Sequence, residues 1–126
     1  MRSPIANRVD TIFIHVRDLE KSVHWYSKLL GIEVKNEIQG PIYTFDMGPG
    51  RSGITLDNHC FDEIYELKTS NQPLFNLSAV DINAAYQFVK ELDAEIVTEI
   101  QTYPDLSDFT FKDPDGNILM ICTCFS

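Results

Sequence analysis

The chain has 126 residues, 44% of them hydrophobic and 23% charged, with a formal net charge of −9. This is enough apolar material for one domain, or for one domain built of two small similar halves, and it excludes wholesale disorder. No cluster of Lys or Arg offers the concentrated positive charge that nucleic-acid phosphates or an anionic membrane surface require, and no apolar run approaches the ~20 residues of a bilayer span.

Neither a nucleic acid nor a membrane is therefore expected as a partner. The opening MRSPIANRVD lacks the apolar segment of a secretory signal, so none is expected. Cysteines number three, Cys60, Cys122 and Cys124, with no CxxC pair. An odd count without that spacing argues against a disulfide framework or a zinc ribbon, and reduced thiols in the cytoplasm are the expectation.

Taken in chain order, VDTIFIHV (9–16) is β-branched and aromatic and predicts a strand. Asp18 follows as an N-cap, and Leu19, Val23, Tyr26, Leu29 and Leu30 recur at helical spacing until Gly31, a residue suited to a left-handed helix end. IEVKNEI, IYTFDM and SGITLDN predict three strands, separated by the turn-prone QGP and GPGRSG. The plan then repeats. FNLSAV predicts a strand, Asp81 a cap, and Ile82, Ala85, Val89 and Leu92 a helical face; AEIVTEI, DFTFK and NILMICTC predict three more strands. Sliding the chain by 63 residues lays Asp18 on Asp81, Leu19 on Ile82, Leu29 on Leu92 and Val34 on Val97. Two βαβββ units in succession form an internal repeat, with modules 9–60 and 74–124.

Between the last two strands, DPDGN predicts a hairpin turn. Pro114 fixes φ at the second position of a type I turn, Asp113 bonds back to the turn's amides, and Gly116 takes a positive φ. The alternating acidic ligands of an EF-hand do not follow, so a calcium loop is not expected.

The helix opener VRDLEKSVHWYSKLLGIEV, the repeat and FKDPDGNILMI together resemble the glyoxalase/bleomycin-resistance/extradiol-dioxygenase superfamily, also called the vicinal oxygen chelate fold, from Val9 to Cys124. The resemblance implies an α+β fold in which tandem βαβββ modules form a curled mixed sheet with a cup, the helices on its outer face. It implies no particular reaction, because one fold serves many chemistries. In metal-using members one ligand comes from each of four strands, and the corresponding positions are Thr11, Thr55, Phe75 and Met120. Two threonines, a phenylalanine and a thioether replace the family's His, Glu or Gln, so no cofactor is expected there. A divalent metal displaced by four residues, ~13 Å along the strands, is the alternative, held by His15, His59 and Cys124.

Strand alternation gives Thr11, Phe13 and His15 a shared face of their strand, as it does Thr55, Asp57 and His59 of theirs, and Met120, Cys122 and Cys124 likewise. With Phe45 and Phe75, the residues Thr11, Phe13, His15, Thr55, Asp57, Met120 and Cys122 make the expected ligand-binding cup. Each has a plainer role open to it. His15 is a candidate general base, or a strand-end histidine bonded to a neighbour. Asp57 orients a ligand or closes a turn, the three phenylalanines stack on an aromatic ligand or fill a core, and Trp25 covers a sheet edge or a dimer contact.

The leading expectation is a metal-free member that holds a small, partly apolar organic molecule in its cup, neutral or cationic given the net charge, and that forms a homodimer. The alternatives are a glyoxalase- or dioxygenase-like enzyme using a displaced metal or His15 as base, and a dimeric interaction protein with a vestigial cup.

Overall fold

The computed structural model describes residues 1–124, the side chain of the last excepted. Two helices and mixed sheets give an α+β architecture that divides into two compact units, Met1–Leu67 and Lys68–Ser126. Among the described residues no helix is long and apolar enough to cross a membrane.

Unit 1 contains β1 (Thr11–His15), α1 (Leu19–Leu30), β2 (Ile42–Phe45) and β3 (Gly53–Asp57), with its sheet ordered β1-β3-β2. β1 runs parallel to β3, and β2 antiparallel to it. The Asp18 side chain accepts a hydrogen bond from the Lys21 amide and so satisfies one orphan donor of α1. Gly31 ends the helix at a φ of 66°, and its amide donates to the Ser27 carbonyl. Val23 and Tyr26 are fully buried on the helix. α1 packs on β2 and β3, against the sheet face that carries Ile14, Tyr43, Phe45, Ile54 and Leu56.

One expected strand is not there. Residues 32–38 join no strand ladder, so unit 1 reads βαββ. Ile32 and Val34 are nevertheless half-buried while Glu33 and Lys35 are exposed. The alternation survives without a ladder because a period of two reports which side chains are covered, not which amides are paired.

Unit 2 contains β4 (Asn76–Ser78), α2 (Ile82–Glu91), β5 (Ile96–Thr102), β6 (Leu106–Lys112) and β7 (Ile118–Cys124), in the order β4-β7-β6-β5. Its first and last strands are parallel neighbours, as in unit 1. Asp81 caps α2 by accepting from the amides of Asn83 and Ala84. Asp81 and Asp18 also share an extended backbone conformation, so the internal repeat extends to its capping chemistry. Val89 of α2 and Phe109, Phe111 and Leu119 of the sheet it packs on are fully buried, and the Tyr86 ring meets Phe109 edge-on at 5.1 Å.

The DPDGN turn forms as its residues dictate. Asp113 and Asn117 close it through the Asp113 amide and the Asn117 carbonyl, and Gly116 has a φ of 91°. Asp113 is only 5% exposed and accepts from the amides of Asp115 and Asn117 and from Asn117 Nδ2, each at 2.9 Å.

Candidate functional site

Each sheet has a face covered by its helix and an open face, and alternation decides which residues reach the open one. In unit 1 these are Thr11, Phe13 and His15 from β1, Ile42 and Thr44 from β2, and Thr55 and Asp57 from β3. The centre of this face is a chain of hydroxyls. Thr55 Oγ1 lies 2.8 Å from Thr11 Oγ1 and 2.8 Å from Thr44 Oγ1, and Thr55 is 2% exposed. Beside it Phe13, the ladder partner of Thr55, leaves 52% of its surface in solvent.

At the C-terminal end of the same strands His15 and Asp57 are ladder partners. His59 follows two residues later with a φ of 55°, in the left-handed region that histidine enters more readily than bulky residues. Asp57 Oδ1 accepts from the His59 amide at 2.8 Å, and this short turn folds the imidazole back over the strand end. There His59 Nε2 lies 2.7 Å from His15 Nδ1 and 3.7 Å from Asp57 Oδ2. The Tyr65 ring stacks on His59 with a centroid separation of 3.5 Å and an interplanar angle of 15°. An open pocket of about 480 Å³, lined by Val16, Arg17, Asn58, Tyr65, Glu66 and Leu67, flanks this cluster.

In unit 2 the open face carries Asn76, Met120, Cys122, Thr110 and Asp108. Cys122 is buried, and Asn76 Nδ2 lies 3.1 Å from its sulfur. Thr98 and Thr110 form a hydroxyl pair at 2.7 Å.

Two expected cup residues lie elsewhere. Phe45 is 1% exposed and belongs to the covered face: its ladder partner is Ile54, and it packs edge-on against Tyr43 in the core. Phe75 was expected on the face of Met120, but Met120 pairs with Asn76, so alternation turns Phe75 to the side of Leu77 and Ile121. Each lies one residue from a side chain of the open face, Thr44 and Asn76, and a shift of one reverses the face. The side chain of Cys124, third member of the expected displaced metal set, lies outside the described residues. Thr44 and Tyr65 were not singled out in the sequence. The register of β2 on β3 could have brought in Thr44, but nothing local marks Tyr65, which lies in the loop after β3.

The four positions where metal-using relatives hold their ion do not fit one here. Thr11 and Thr55 spend their hydroxyls on each other, Phe75 has no donor and faces away, Asn76 beside it is neutral, and the Met120 thioether is soft and weak. No step through a metal at that position follows.

A profile of the Glyoxalase/Bleomycin resistance protein/Dioxygenase superfamily matches residues 8–121. No curated protein matches the sequence. Solved structures resemble the fold closely. A hypothetical protein from S. aureus is 24% identical, with 95% of each chain covered and a TM-score of 0.70. A superfamily member from Sphaerobacter thermophilus is 21% identical, covering 94% of this chain and 98% of its own, with a TM-score of 0.73. A lactoylglutathione lyase from Agrobacterium tumefaciens is 16% identical, with 96% of each chain covered and a TM-score of 0.68.

Proposed function

The chain belongs to the glyoxalase/bleomycin resistance protein/dioxygenase superfamily, and from that premise we propose that it binds a small, partly apolar organic molecule on the open face of the β1-β3-β2 sheet, with no metal at the family's ligand positions. One observation carries this reading: an aromatic ring, Phe13, stands half in solvent beside a row of hydroxyls whose hydrogen bonds are already made to one another. Small-molecule sites combine apolar and aromatic lining, which gives affinity, with a few placed polar groups, which fix orientation. Ile42, also exposed on this face, extends the apolar surface. The net charge of −9 favours neutral or cationic ligands over anions.

The proposed ligand stabilises the fold by mass action, by about 2.7 kcal/mol at 100 times its dissociation constant. A thermal-shift screen of a chemically broad library should yield apolar or cationic compounds that raise the melting temperature, and Phe13→Asp should remove the shift. A shift that survives Phe13→Asp would move the ligand to another surface. No shift from any compound would favour the reading in which this face is vestigial.

We also propose that the working form is a homodimer. β1 and β2 are edges of their sheet, residues 32–38 leave the outer side of β2 without a ladder partner, and Trp25 is partly exposed on α1. A twofold partner would cover such surfaces.

A further inference from the structure

Three potential ligand atoms of unit 1 converge at the C-terminal end of the parallel β1–β3 pair. His15 Nδ1 is 2.7 Å from His59 Nε2, Asp57 Oδ2 is 3.7 Å from that same nitrogen, and the three side chains offer ligand atoms that all lie within 4.8 Å of one another. Their arrival has three separate causes. The parallel register sets His15 beside Asp57. The turn made by Asp57 Oδ1, with His59 at a φ of 55°, brings the second imidazole back over them. Tyr65 stacks on that imidazole and holds its plane.

A hydrogen bond between the two imidazoles accounts for one contact only. A carboxylate–histidine relay would put the carboxylate on the central ring's other nitrogen, the arrangement that sets tautomer and direction in catalytic triads. Here the carboxylate and the second imidazole approach the same nitrogen. A proton on one ring nitrogen serves the imidazole pair, and a cation placed among the three atoms would engage the lone pairs of both rings and the carboxylate at once. The Asp57 and His59 side chains are also each 19% exposed, so the cluster is sheltered but reachable.

We propose that His15, Asp57 and His59 form a divalent transition-metal site of two imidazoles and one carboxylate, separate from the superfamily's four ligand positions. The donor set selects the metal class. Imidazole suits zinc, iron, nickel and copper, whereas calcium and magnesium prefer oxygen donors throughout. With bonds of ~2.0–2.1 Å, tetrahedral donors stand about 3.3 Å apart. To reach that spacing the imidazole pair opens by about 0.6 Å, the carboxylate closes on His59 by about 0.4 Å, and the widest donor pair, within 4.8 Å, closes by up to about 1.5 Å through side-chain torsion. Three protein donors leave a coordination position open, as in catalytic rather than structural zinc sites. The flanking pocket, with Arg17, Asn58 and Glu66 in its lining, would admit a small molecule with an oxygen donor to that position. The sequence expectation of a displaced site thus takes Asp57 as its third donor. This inference is independent of the ligand-binding reading, since Phe13 is not one of the donors.

The test is titration of chelator-treated, dialysed full-length protein with zinc by calorimetry, and with cobalt(II) by its visible d–d absorption. The expected result is one equivalent per chain with nitrogen-ligated cobalt bands. Loss of a direct ligand should weaken binding at least as much as the ~100-fold upper range for outer-shell partners. His15→Gln and His59→Asn should each do so, asparagine being chosen because it tolerates the positive φ of residue 59. Asp57→Asn should weaken binding while circular dichroism stays native. His24→Ala should leave the zinc stoichiometry and affinity unchanged. Absence of stoichiometric binding, or binding that survives both His15→Gln and His59→Asn, would overturn the proposal. A thermal shift by organic ligands that persists in the His59→Asn variant would leave the ligand-binding reading standing while the metal site fell or held on the titration alone.

Discussion

His15 and His59 meet through Nδ1 and Nε2 at 2.7 Å although 44 residues separate them in the chain. The contact exists because β1 and β3 are parallel neighbours ending together, with His15 opposite Asp57 and the chain turning back immediately after. Parallel neighbours need a long crossover, here α1 and β2, so the meeting of the two rings depends on the whole unit being folded.

Removing either ring therefore has a structural as well as a chemical effect. His15→Ala should cost about 1 kcal/mol, the net worth of one hydrogen bond. The loss should register as a lower urea midpoint at unchanged slope, the sign of altered stability without altered compactness.

The two faces of the unit 1 sheet should respond oppositely to truncation. Phe45→Ala, at a residue 1% exposed, should cost about 3–5 kcal/mol through lost burial and a residual cavity. Phe13→Ala, on the open face, should change stability by less than about 1 kcal/mol, as surface substitutions do. Equal costs in chemical denaturation would mean that the open face is covered in solution, as a dimer contact would cover it.

Thr55 accepts or donates to two hydroxyls at once, so Thr55→Val should cost about 1–2 kcal/mol. Thr44 is exposed and can exchange its lost partner for water, whereas Thr11 is only half-exposed. The double variant Thr11→Val/Thr55→Val should then be less destabilised than the sum of the singles, a coupling readable from a double-mutant cycle.

The buried carboxylate of Asp113 accepts three hydrogen bonds inside its turn. Asp113→Ala should cost about 2–3 kcal/mol, because it leaves charge-assisted donors unpaired. Gly116→Ala should cost about 1–2 kcal/mol through its φ of 91°. Thermal unfolding of both variants checks the order: the aspartate change should lower the midpoint more.

A homodimer predicts light scattering at twice the 14.4 kDa chain mass. A monomer at ~100 µM, far above the dissociation constants of specific complexes, would refute it.

Local chemistry alone makes much of this molecule legible in its sequence. Asp18 and Asp81 cap because an aspartate before an apolar helical period has orphan amides to satisfy. DPDGN turns because its proline, aspartates and glycine leave the backbone few other conformations. The repeat and the superfamily follow from the order of such signals, and alternation alone grouped Thr11 with Phe13 and His15. What needed the tertiary structure was everything that depends on a partner. Residues 32–38 alternate like a strand but have no neighbour to pair with. Phe45 and Phe75 missed the open face by a single position, since a period of two defines two faces without saying which one a helix will cover. The residue that joins His15 and His59 is Asp57, placed there by the β1–β3 register and a left-handed residue rather than by any spacing along the chain. Pairing and register are sums over many weak distant contacts, and a short local pattern contains none of them.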